Sequence, residues 1–169
     1  MSLADSFIRF PLAAAMLAAM GTASAETGRK ACTGECGMVA RADVPEPALD
    51  AIVREAGGLD FGPVTLVERA DKTPLYAADM VRDGHVTGVE VDAAGAVQSV
   101  TTELEAWELP TVVKRIVDAE TLGFPARSFS VRTSGSETIY MVDAATERRG
   151  KQLEIDPLGR IVNKVLKIG

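Results

Sequence analysis

Residues 89–97, VEVDAAGAV, return 64 positions later as LEIDPLGRI, residues 153–161. Each copy alternates apolar and polar side chains up to an Asp, passes two residues and reaches a Gly. Period-2 alternation marks a half-buried strand. Asp and Gly are what a tight turn demands, one bonding back to the backbone and the other supplying positive φ. The competing reading is a metal loop, which needs several oxygen ligands at close spacing. Each corner here offers one Asp, with only Ala-Ala or Pro-Leu before the Gly. Asp92 with Gly95, and Asp156 with Gly159, are therefore read as hairpin turns, and no metal is expected.

The same offset aligns Tyr76 with Tyr140, Asp79 with Asp143 and Glu90 with Glu154. It also aligns Ala48, Leu49, Ile52 and Val53 with Val112, Val113, Ile116 and Val117. A recurrence at one fixed period implies a duplicated supersecondary unit. In the first unit, apolar positions 48, 49, 52, 53 and 56 form the stripe of an amphipathic helix. Asp43 and Glu46 have capping-box spacing, Pro45 suits a first turn, and GGLDFGP at 57–63 stops the helix. Strands are expected at 64–69, 75–81, 86–92 and 96–104, with RDGH at 82–85 as another corner. The second unit predicts a helix near 110–121 and strands near 127–133, 137–145, 151–156 and 160–168. The expected fold class is α+β: two tandem repeats, 44–107 and 108–169, each one helix followed by a four-stranded antiparallel meander. Some 60 residues make a marginal core alone, so the units should pack together or align their sheets.

The head of the chain has another character. A short start with Arg9, an apolar run PLAAAMLAAMG and a small-residue ending Ala23-x-Ala25 form a signal-peptide pattern over residues 1–25. The apolar run is too short for a bilayer, which takes about 20 residues. Residue 26 is Glu rather than Cys, so no lipid anchor is implied. The expected location is periplasmic or secreted, with no membrane span after cleavage following Ala25. Residues 26–43 form an N-terminal segment holding the cysteine pair.

The net charge of −6 is unevenly spread. Residues 44–107 carry twelve acids and four bases, and residues 108–169 carry eight acids and ten bases. No basic stripe stands out, which argues against nucleic acid as a partner.

The Leu/Val-Pro entry, short helix, central Tyr strand and VEVDxxGxV corner resemble the PepSY-like repeat. The double unit is also similar in architecture to secreted β-lactamase-inhibitor proteins. The resemblance spans nearly all of 44–169 and implies an exported, non-catalytic module that binds or inhibits another protein. The chain departs from the pattern in being Ala-rich and poor in aromatics, with YAAD at 76–79 where a bulkier strand is expected.

Few residues suggest chemistry. Cys32 and Cys36, in CTGECG, are the only thiols. No His follows the second Cys, as a haem site requires, and the spacer is three residues rather than the two of a thioredoxin-like site. In an oxidising compartment a local disulfide is expected, worth about 2 kcal/mol for so short a loop. Metal or redox use, and intermolecular pairing, are the alternatives. His85 is the only histidine, which excludes a multi-His metal site, and it reads as a hairpin-edge residue. Trp107, in ELEAWELP at the joint, is either a plug between the units or an exposed binding anchor. Tyr76 and Tyr140 are expected to pack under their helices. No phosphate-cradling loop or nucleophile elbow occurs. The sequence thus predicts an exported non-catalytic binding module engaging or inhibiting an envelope protein, without a cofactor. The alternative is a periplasmic thiol- or metal-handling protein acting through Cys32 and Cys36.

Overall fold

The computed structural model describes residues 37–69, 71–147 and 149–168. The expected signal peptide and the Cys32–Cys36 pair lie outside the described residues. Strand β1 (Gly37–Val39) leads through a 3-10 turn (Arg41–Asp43) into α1 (Glu46–Ala56). Then come β2 (Val64–Glu68), β3 (Pro74–Arg82), β4 (His85–Asp92) and β5 (Val97–Leu104). After α2 (Thr111–Glu120) follow β6 (Ala126–Ser134), β7 (Glu137–Ala145), β8 (Arg149–Ile155) and β9 (Ile161–Ile168).

These strands form one nine-stranded antiparallel sheet in sequence order. This corrects the expected α+β fold of two tandem helix-plus-four-strand repeats. Among the described residues the fold is mainly β, with α helices of only 11 and 10 residues beside nine strands. The physical cause lies between β5 and β6. Their ladder runs from Val100↔Thr133 to Leu104↔Phe129, so β5 is an interior strand and not the end of a meander. An unpaired edge there would leave a row of backbone donors and acceptors unsatisfied, and pairing removes it. The N-terminal segment also contributes, since β1 pairs with β2 at Gly37↔Leu66 and Val39↔Val64.

Register shows that both helices cover the same sheet face. Met80 lies opposite Thr87, Thr87 opposite Thr102, Thr102 opposite Val131, Val131 opposite Tyr140, and Tyr140 opposite Ile155. Residues directly opposite share a face. Met80 belongs to the core under α1, and Ile155 to the core under α2. Tyr76 and Tyr140 pack against these two cores.

Helix α1 buries Ala48, Ala51, Ile52 and Ala56, while Val53 is exposed. Of the expected stripe, Ala48, Ile52 and Ala56 are buried and Leu49 packs against the core, while Ala51 is buried in place of Val53. Burying Ile52 completely contributes about 1.5–3 kcal/mol. The expected capping box does not form: Pro45 is the N-cap, with no side-chain cap bond. At the other end Gly57 closes the helix in the left-handed conformation at φ 61°, its N–H donating to the Val53 and Arg54 carbonyls.

Each helix is fastened to the sheet at both ends. The β4–β5 corner sits under the start of α1, where Gly95 abuts Pro47, and the β8–β9 corner sits under the start of α2, where Gly159 abuts Val112. At the C-terminal ends, Arg82 of β3 donates to the Glu55 carbonyl and Lys151 of β8 to the Glu120 carbonyl. Cations there satisfy orphaned carbonyls and complement the helix dipole.

Candidate functional site

The paired corners share one geometry. Gly95 N–H donates to the Asp92 carbonyl at 3.0 Å, and Asp92 N–H to the Ala96 carbonyl at 3.0 Å. Gly159, Asp156 and Arg160 repeat this at 2.9 Å for both bonds. With φ of 82° and 83° at the glycines, both are three-residue hairpin loops ending in a left-handed glycine. The carboxylates are engaged locally. Asp92 Oδ1 accepts from the N–H groups of Ala94 and Ala96, each at 2.9 Å, and Oδ2 from the Gln98 amide at 2.9 Å. Asp156 Oδ1 accepts from the N–H groups of Leu158 and Arg160, and Oδ2 from Arg160 Nε at 2.6 Å. The Arg160 backbone N–H, then its guanidinium, hold the Asp156 carboxyl below the usual aspartate value. These acids have turn geometry, and among the described residues no group of three or more His, Cys, Asp or Glu could hold a metal.

Trp107 is placed otherwise. It rides the loop between Leu104 and Thr111 and is 78 % exposed, so it is no plug between packed units. The loop itself is braced. Glu108 N–H donates to the Glu105 carbonyl at 2.9 Å, and the Glu108 carboxylate accepts from Glu105 N–H at 2.7 Å. Its other oxygen lies 3.2 Å from His85 Nε2, tying the loop to the β3–β4 tip. That tip is a two-residue turn with Asp83 and Gly84 both at positive φ, which matches the right-handed twist of its strands. Leu109, buried in the core under α2, anchors the loop's far end. The chain's only histidine thus braces the loop of its only tryptophan, a contact between residues 23 positions apart that no local motif announces.

The helix-free face is the second notable surface. Register assigns to it Asp79, Glu90, Glu103, Glu137, Asp143 and Glu154, against the bases Arg132 and Lys167. Ser99 Oγ donates to Glu90 at 2.7 Å, and the Asp79 carboxylate lies over the bare backbone of Gly88. Burial pushes the Asp143 carboxyl up, with Lys167 opposing the shift. Of the described helices, none is long and apolar enough to cross a membrane.

No protein-family model and no curated protein matches the chain. Solved structures do share its fold. One, a DUF2874 family protein from Bacteroides ovatus, is 13% identical with a TM-score of 0.62, covering 72% of this chain and 86% of that one. Another DUF2874 family protein, from Bacteroides uniformis, is 20% identical with a TM-score of 0.63, covering 72% and 88%. A BLIP-like protein from Bacteroides fragilis is 16% identical with a TM-score of 0.58, covering 73% and 86%. The chain therefore has a BLIP-like fold, while its likeness to PepSY repeats rests on short motifs alone.

Proposed function

We propose that this chain is an exported, non-catalytic binding module that engages another protein of the cell envelope, with Trp107 as its anchor. The observation that carries this reading is a Trp 78 % exposed on a loop braced at both ends. Aromatic rings of this size dominate core and interface energetics, and Trp is enriched at interface hot spots. A fold that holds its only Trp in water on a fixed loop leaves that hydrophobic gain for association, with little ordering cost. Export is supported by the leader pattern in residues 1–25, and a binding role by the BLIP-like fold and the PepSY-like motifs. The excess of acids in residues 44–107 would steer a partner bearing basic groups and speed encounter.

The test is affinity capture from envelope extracts with wild type and Trp107→Ala side by side. The expected result is a partner retained by wild type and lost by the variant, whose stability stays within about 0.5 kcal/mol as for an exposed site. A set of captured proteins unchanged by the substitution refutes the role of Trp107.

A further inference from the structure

The two edges of the sheet are unlike. Strand β1 has three residues, and so short an edge offers little to pair with. Strand β9 runs for eight residues without proline, and no described strand covers its outer side. Exposed apolar side chains concentrate on it: Ile161, Val162, Val165 and Leu166, with Leu158 on the adjoining corner. A long apolar edge of this kind is a template for another strand. Lysines often guard such edges, but here they are drawn back over the sheet. Lys164 Nζ donates to Glu120 Oε2 of α2 at 2.6 Å, and the Lys167 side chain lies along Gly150 of β8.

We propose that β9 pairs with β9 of a second copy, antiparallel about a two-fold axis, joining two sheets into one. The sequence of β9 permits this in a particular register. Pairing with β8 puts Lys164 and Leu166 on the helix side, and Asn163, Val165 and Lys167 on the other. With the axis through Val165, that residue meets its own copy, Lys164 meets Leu166, and Asn163 meets Lys167. Every pair then joins residues of one face, as a continuous sheet requires. Axes through Lys164 or Lys167 would set lysine against lysine, which directly opposed strands do not tolerate well. An axis through Leu166 avoids that clash but leaves fewer residues of β9 paired. In the Val165 register Leu166 lies over the aliphatic stem of Lys164, whose charge is already held by Glu120.

Sedimentation velocity over a concentration series, on wild type, Val165→Lys and Val53→Lys, tests the proposal. Val53 is an exposed valine on α1, which packs over β3 and β4, several strands away from β9. Wild type and Val53→Lys should move from one chain mass towards two as concentration rises, and Val165→Lys should stay at one. A wild type that remains monomeric throughout overturns the proposal, as does a Val165→Lys protein that dimerises normally. Should Val165→Lys fail to melt cooperatively, Leu166→Lys serves instead, since it opposes Lys164 across the same axis and must likewise abolish the dimer.

Discussion

Replacing Gly95 by Ala probes how rigidly the helices sit on the sheet, and Gly159→Ala is its internal control. Both glycines end the same turn at nearly the same φ, 82° and 83°. The left-handed strain of an alanine, about 1–2 kcal/mol, is therefore common to both. The obstacles differ. A Cβ on Gly95 would overlap the backbone carbonyl oxygen of Pro47, lying 2.9 Å from its carbonyl carbon and 3.3 Å from its Cβ. Relief requires the first turn of α1 to move, and overpacking of this kind costs about 1–3 kcal/mol more. A Cβ on Gly159 would meet Val112 Cγ1 at 2.5 Å, the end of an exposed side chain. Turning Val112 out of its rotamer costs about 0.5–1.5 kcal/mol. Gly95→Ala should thus lose about 2–5 kcal/mol and Gly159→Ala about 1.5–3.5 kcal/mol. The assay is urea unfolding of both variants with wild type, comparing midpoints at a constant slope. If Gly95→Ala proves no worse than Gly159→Ala, α1 is not held rigidly against its corner and the reasoning fails.

Two pH predictions follow from the carboxylates. Burial raises the Asp143 pKa, so the folded state holds this proton more tightly than the unfolded chain. Ionisation then costs stability, the loss setting in as pH rises from the unfolded aspartate value through the folded one. Asp143→Asn should raise the neutral-pH melting temperature while changing little at acid pH; a lowered one at pH 7 contradicts the burial argument. Asp156 is the opposite case, its pKa depressed by the Arg160 backbone N–H and guanidinium. Its contribution is present above the unfolded aspartate value and disappears as pH falls through the folded one. Asp156→Ala should therefore lower stability near neutrality and converge with wild type in acid, as acid titration of the melting temperature would show.

How much of this was legible beforehand depends on the range of the interaction. Eight of the nine strands lie close to where the sequence placed them, β3 at 74–82 and β7 at 137–145, because side-chain period is a local property, while the three-residue β1 is too short to show a period. Asp92 and Asp156 bond the N–H groups two and four residues on, so a ten-residue window already contains their geometry. Helix positions were legible too, and so was the buried stripe of α1 apart from Val53. Ala51 is buried and Val53 exposed, a rotation of the helix about its axis that apolar spacing alone does not set.

The sequence by itself therefore determined eight of the nine strands, the hairpin turns between them and the two helices, all built from contacts a few residues apart, and it missed β1. Only the tertiary structure decided that β5 and β6 join these into one sheet, because backbone N–H and C=O groups make that ladder and carry no side-chain signature. It alone decided that Arg82 and Lys151 close the helix ends, and that Glu108 and His85 brace the loop of Trp107. Each of these bonds joins residues that become neighbours only once the sheet has formed.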